Sequence, residues 1–235
     1  TRVPTSFAAA EGTVAHTLAE AFVTGGAGGS MALMARVGQV VKQEGHEIEI
    51  TDEMVNGAVL YGDLIAGDRA AATEKDKRTT QVHGAAEVRV KATSVGDQVR
   101  GTADYILYRK GHKLAVYDFK YGKGVTVEVE ANEQLALYAI GAMDGPAGWA
   151  YDEVELVIVQ PRAGHPDGVV RRWSASVEWF EMFAKHAAKA ASATQESGAP
   201  LVPGEAWCRW CPAAAFCPAL HKKAQESAMV AFSDA

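Results

Sequence analysis

Residues 101–138 decide how this chain is read: GTADYILYRKGHKLAVYDFKYGKGVTVEVEANEQLALY. Residues 100–108 and 114–120 have the composition of two strands joined by a short turn at Arg109, Lys110, Gly111, His112 and Lys113. Side chains alternate faces along a strand. If Tyr108 faces Leu114, Asp104 falls opposite Asp118. One face then carries Thr102, Asp104, Ile106, Leu114, Val116, Asp118 and Lys120, and the other Ala103, Tyr105, Leu107, Ala115, Tyr117 and Phe119. Both are largely apolar, as in central strands covered on both sides. A register slip of one residue would separate the two aspartates.

Carboxylates in buried strands are costly unless compensated. Two of them about 4 Å apart repel by roughly 4 kcal/mol at an effective dielectric near 20. They must share a proton or a cation. A hard divalent ion with oxygen ligands meets that need, polarises phosphoryl oxygens and activates water. Lys120 lies two residues after Asp118 and points the same way. Its ammonium can orient a water or neutralise charge developing on phosphorus. The plain alternative is a strand-end Asp–Lys ion pair.

Length and composition narrow the field. The 235 residues suit one domain with appended helices, and 48% apolar content supplies a core. A net charge of −6 is not that of a protein that coats DNA electrostatically. Basic residues must therefore be concentrated locally, with Lys120, Lys123, Arg109, Lys110 and Lys113 as candidates. No run of about 18 apolar residues marks a membrane span, and no secretory signal opens the sequence. A cytoplasmic location is expected, with no membrane partner.

Residues 12–23 read as a helix with Thr13 as N-cap and an apolar stripe of Ala15, Leu18, Ala19 and Phe22. His16 and Glu20, four apart, share a face. As residues alone they read as a surface pair. The run Gly25-Gly26-Ala27-Gly28-Gly29-Ser30 is a break, without the Lys-Ser/Thr ending of a phosphate loop. Residues 31–43 and 52–72 read as helices within an insert over 24–80, and 73–81 as a charged connector. Residues 85–92 alternate as a strand with Glu87, Arg89 and Lys91 on one face and Val88 and Val90 on the other. Tyr121-Gly122-Lys123-Gly124 is a turn where backbone can approach a phosphate closely. Residues 125–130 alternate as a short strand. Residues 132–143 form a helix that places Gln134 and Tyr138 on one face, away from Leu135, Ala139 and Ala142. Residues 154–160 and 168–174 read as neighbouring strands, and 175–193 as a long helix.

Four motifs in order carry a resemblance: His16 on a helix, Gly101 with Asp104, Asp118 with Lys120, and Gln134 with Tyr138. The chain resembles the RecB-like branch of the PD-(D/E)xK nucleases, and within it the phage and CRISPR-associated exonucleases that carry an iron–sulfur cluster. The resemblance spans about residues 11–220. It implies an α/β restriction-endonuclease-like core, a central mixed sheet flanked by helices, in a single nuclease domain. It implies a Mg2+ or Mn2+ site with His16, Asp104, Asp118 and Phe119 as metal contacts. Asp104, Asp118, Lys120, Gln134 and Tyr138 become catalytic, the last two seating the strand. Glu87 is either an accessory carboxylate or a solvent-facing strand position, and Glu20 a supporting group. The implied activity is DNA exonuclease on single strands or ends. The implied partners are DNA and proteins of recombination, repair, phage or CRISPR systems, in a bacterial cell or a phage host.

Cys208, Cys211 and Cys217, spaced C-x2-C-x5-C, are the only cysteines. That density argues for a metal site rather than a disulfide framework. A closed site or a cubane needs four ligands. The resemblance supplies a fourth Cys from the N-terminal side and a 4Fe-4S cluster in a C-terminal segment over 200–221. Positions 1–207 hold none, so the fourth ligand is expected upstream of Thr1, or at His221, which would favour zinc. Two other functions compete: a nuclease-fold protein that holds DNA or a partner without cutting, and a redox or zinc-ribbon protein. The second leaves Asp104, Asp118 and Lys120 without a role.

Overall fold

The computed structural model describes residues 5–25, 29–75, 82–109, 111–145, 148–209 and 211–233. It divides into two compact units, Thr1–Ala188 and Lys189–Ala235.

The larger unit is mixed α/β. Its sheet is built from β3 (Val82–Lys91), β4 (Arg100–Arg109), β5 (Lys113–Phe119), β6 (Glu153–Val159) and β7 (Val170–Ala175). They lie side by side in chain order. All neighbours are antiparallel except β5 and β6. A parallel pair needs a crossover, and α4 (Glu133–Met143) supplies it. Tyr108 faces Leu114, the register on which the sequence reading is conditioned.

Each face of the sheet has its own core. The first joins Tyr105, Leu107, Ala115, Tyr117 and Phe119 to α1 (Phe7–Thr24) and α3 (Asp52–Lys75). The second joins Ile106, Leu114, Val116, Leu156 and Ile158 to α4 and α5 (Val177–Ala193). With both faces covered, strands β5 and β6 are buried almost throughout. Phe22 of α1 lies against Gly62 of α3, where a Cβ would collide with its ring. That contact lets the two helices close over the sheet.

Several expected elements differ. α1 begins at Phe7, capped by Ser6, whose hydroxyl accepts the Ala9 N–H at 3.2 Å. Thr13 lies inside the helix and donates back to the Ala9 carbonyl. The expected helix over 31–43 is instead a short α2 (Gly29–Met34) followed by a ribbon of β1 (Val40–Gln43) and β2 (His46–Glu49). Glu44 and Gly45 both have positive φ, the conformation of a two-residue hairpin turn. Residues 76–81 of the connector lie outside the described residues, as does Lys110.

The alternating segment 125–130 forms no ladder. Two buried side chains hold it instead. Gln160 donates to the Val125 carbonyl at 2.8 Å and accepts the Val127 N–H at 3.1 Å. Arg171 donates to the Val127 carbonyl at 2.9 Å and to Gln160 Oε1 at 2.7 Å. Among the described residues no helix is long and apolar enough to cross a membrane.

The smaller unit holds the end of α5, then α6 (Glu205–Cys208), a 3-10 turn at Ala214–Phe216 and α7 (Pro218–Ser233).

Candidate metal centre

The site grows out of a break in the β3–β4 ladder. Ala86 pairs with Tyr105 and Val88 with Ala103, but no pair joins Glu87 to Asp104. Glu87 has φ 50, a left-handed conformation that costs a non-glycine residue about 1 kcal/mol. Ala86 packs against the first core and Val88 against the second, although two-residue spacing should keep them on one face. Tyr105 and Ala103 divide in the same way. Both strands therefore change phase at this point, a local irregularity that re-aims side chains much as a bulge does. Ala103 joins the second core rather than the first, and Asp104 reaches towards α1 rather than α4. With Thr102, which pairs with Arg89 on the side of the carboxylates, these are the three departures from the expected face assignment.

The re-aimed carboxylates meet His16 of α1. His16 Nδ1 lies 3.4 Å from Asp104 Oδ1. His16, Glu87 and Asp104 each bring a ligand atom within 4.8 Å of the others. The expected surface pairing of His16 with Glu20 gives way to this contact. Glu20 nonetheless lines the same small cavity, with Tyr61, Glu87, Asp104 and Phe119. The β4–β5 ladder ends at Tyr105 and Tyr117. Beyond it the Asp104 carboxylate replaces a main-chain acceptor and takes the Phe119 N–H at 2.7 Å.

Asp118 is only 3% exposed. Its Oδ1 accepts from Lys120 Nζ at 3.0 Å, and its Oδ2 is buried without a hydrogen-bond partner. Lys120 also donates to Gln134 Oε1 at 3.1 Å, and Gln134 donates to the Tyr138 hydroxyl at 2.8 Å. One chain of contacts thus runs from Asp118 to α4. A Cβ on Gly101 would lie 2.5 Å from Tyr138 Cε1, which explains the glycine three residues before Asp104.

The charges oppose one another. Burial pushes the Asp118 carboxyl up to about 6, Lys120 resists the shift, and Asp104 adds to it. Burial also raises Glu87, helped by the charges of Asp104 and Glu20. Burial alone would lower His16, but its bond to Asp104 and the charges of Asp104 and Asp118 outweigh that and raise it. The Tyr61 hydroxyl, buried without a partner, is raised by burial and by the same two aspartates. The Asp118–Lys120 ion pair is present, yet it leaves one carboxylate oxygen idle. An imidazole nitrogen with carboxylate oxygens is a donor set that suits a divalent cation. Phe119 has no polar side-chain atom, so only its carbonyl could join. Its ring is buried and meets the His16 ring edge-on at 5.5 Å.

The expected basic patch is scattered. Lys123 pairs with Glu53, and Lys113 with Glu153 and Glu155. Lys113 and Arg109 line a separate cavity with Asp68, Glu155 and Arg172. Tyr61 escaped sequence reasoning because nothing in the spacing of α3 aims it at β4.

In the smaller unit Cys208, Cys211 and Cys217 are free thiols. Cys208 Sγ accepts the Gly204 N–H at 3.3 Å, and His221 Nε2 lies 3.1 Å from the Ala215 carbonyl. Among the described residues the three sulfurs do not form a group of ligand atoms within 4.8 Å of one another.

A family model described as DUF2800, protein of unknown function, matches residues 3–235. A solved structure described as the crystal structure of SSO0001 is similar at 20% identity, with a TM-score of 0.35. The match covers 72% of this chain and 76% of that one.

Proposed function

This chain belongs to the DUF2800 family, and we propose that it is a metal-dependent DNA exonuclease with a RecB-like, restriction-endonuclease-like core. The observation that carries the proposal is the convergence of His16, Glu87 and Asp104 within 4.8 Å of one another; Asp118 lies outside that group, but its charge acts on His16 and its buried Oδ2 has no partner. His16, Asp104 and Asp118 would hold a Mg2+ or Mn2+ ion, with the Phe119 carbonyl and Glu87 nearby. Such an ion supplies Lewis acidity and a bound water of lowered pKa.

The chain's own groups do the remaining work. Lys120, anchored between Asp118 and Gln134, presents an ammonium that offsets charge building on a phosphoryl oxygen. Gln134 and Tyr138 fix that ammonium from α4 and offer donors to the strand. The His16–Asp104 contact orients the imidazole, as a carboxylate does for a ligating histidine.

The cysteine segment is proposed to hold an iron–sulfur cluster. Its three thiols are one short of a four-cysteine set. Iron and sulfide analysis against zinc analysis decides between cluster and zinc.

The nuclease test uses 5′- and 3′-labelled single- and double-stranded DNA with Mn2+, with Mg2+ and with EDTA. Metal-dependent shortening of the strands, lost in Asp104→Ala and Lys120→Ala, is the expected result. Binding without cleavage would instead favour a nuclease-fold protein that only holds DNA.

A further inference from the structure

Beyond the phase break, the β3–β4 ribbon continues on the side of the carboxylates. Val88 and Val90 turn to the second core, so Arg89 and Lys91 turn to the side of Glu87. Across the ribbon Arg89 pairs with Thr102 and Lys91 with Arg100. The rows are therefore Glu87 and Asp104, then Arg89 and Thr102, then Lys91 and Arg100. Each step of two residues advances about 6.8 Å. These four outer side chains are exposed and line one shallow depression.

The charges there are unspent. Lys91 has an exposed ion pair with Asp97 at 3.2 Å. Arg89 and Arg100 have no ion pair among the described residues. In a chain of net charge −6, two exposed guanidinium groups leading to an acidic cluster make a local positive stretch that attracts an anion. Because β3 is the sheet edge and the β4–β5 ladder stops at Tyr105, the row is only two strands wide, about 5 Å between strand axes. That width follows one phosphate backbone rather than the two of a duplex.

We propose that this outer face of the β3–β4 ribbon is the track on which a single DNA strand reaches the metal centre, with Arg89 and Arg100 as its phosphate contacts. The proposal rests on the nuclease reading and adds the path that the expected single strand takes and the residues that hold it. Arginine suits the task because its planar fork matches phosphate oxygens. Lys91, shared with Asp97, contributes less.

The test measures fluorescence anisotropy of a labelled oligothymidylate with the full chain in EDTA, across a salt series. The variants are Arg89→Ala/Arg100→Ala, Arg89→Lys/Arg100→Lys and Asp104→Ala. The double alanine variant should bind about tenfold more weakly and lose roughly 1.4 from the salt slope, two contacts at about 0.7 each. The lysine variant should recover the slope, and Asp104→Ala should bind at least as well as the wild type. With metal, the double alanine variant should raise KM for single strands and leave kcat at saturation unchanged. Wild-type affinity and slope in that variant, with cleavage intact, overturn the track and leave the nuclease reading standing. A loss confined to duplex DNA also overturns it. A wild-type chain that neither binds nor cuts DNA overturns both.

Discussion

Replacing Asp118 by Asn should make the metal-free protein more stable, not less. The buried carboxyl is pushed from its ordinary 3.8 up to about 6, chiefly by burial and against the pull of Lys120. A shift of that size means that ionised Asp118 costs the folded state about 3 kcal/mol above pH 6. The sign is fixed by the direction: stability is complete below about pH 4 and is lost as the pH rises through about 6. Asn keeps the shape and never ionises. In EDTA at pH 8 the variant should gain about 3 kcal/mol, or roughly 6–12 °C in Tm for a unit of this size. At pH 4 the two proteins should unfold together. Adding Mn2+ at about 1,000 times its Kd should reverse the order at pH 8, because it stabilises only the wild type, by about 4.1 kcal/mol. The assay is thermal denaturation at both pH values, with and without metal. An Asn variant less stable than wild type at pH 8 in EDTA would falsify the claim that Asp118 is a strained carboxylate held for a cation.

Other outcomes follow from the same geometry. His16 is raised above its ordinary value, so its contribution, like that of Asp118, disappears with rising pH, and Mn2+ should raise Tm more at pH 8 than at pH 5 in a melting series. Gly101→Ala should displace Tyr138 and loosen the Gln134 contact, cutting DNA turnover about tenfold while circular dichroism stays unchanged. Lys120→Ala should lower kcat by about a hundredfold or more, with folding intact, in a single-turnover assay. Arg171→Leu removes donors from three carbonyl oxygens and should destabilise by about 3 kcal/mol, read by urea unfolding, with faster amide exchange at Val127.

The central hairpin was legible because its information is local. Apolar runs, a short turn and two-residue alternation set the Tyr108–Leu114 register without reference to the rest of the chain. The same alternation misplaced Thr102, Ala103 and Asp104, because the phase break depends on the unusual backbone of Glu87 on a neighbouring strand. Val40 and Val41 lost their place to a helix prediction, since four-residue strands leave too short a pattern to be distinguished. Residues 125–130 had a strand's pattern but no partner strand, and Gln160 and Arg171 met their polar needs from far along the chain. Of the candidate site, the residues were legible and their charges were not: the idle oxygen of Asp118 and the inward aim of Tyr61 arise only in three dimensions.

The Gln160–Arg171 pair acts as a rivet. It fastens the stretch running from the lysine-bearing strand end to α4 onto the end of β6, which pairs with β5, and onto the edge strand β7. The distance between Lys120 and Gln134 is therefore inherited from β7, and a change remote from every carboxylate can detune the ammonium without touching it.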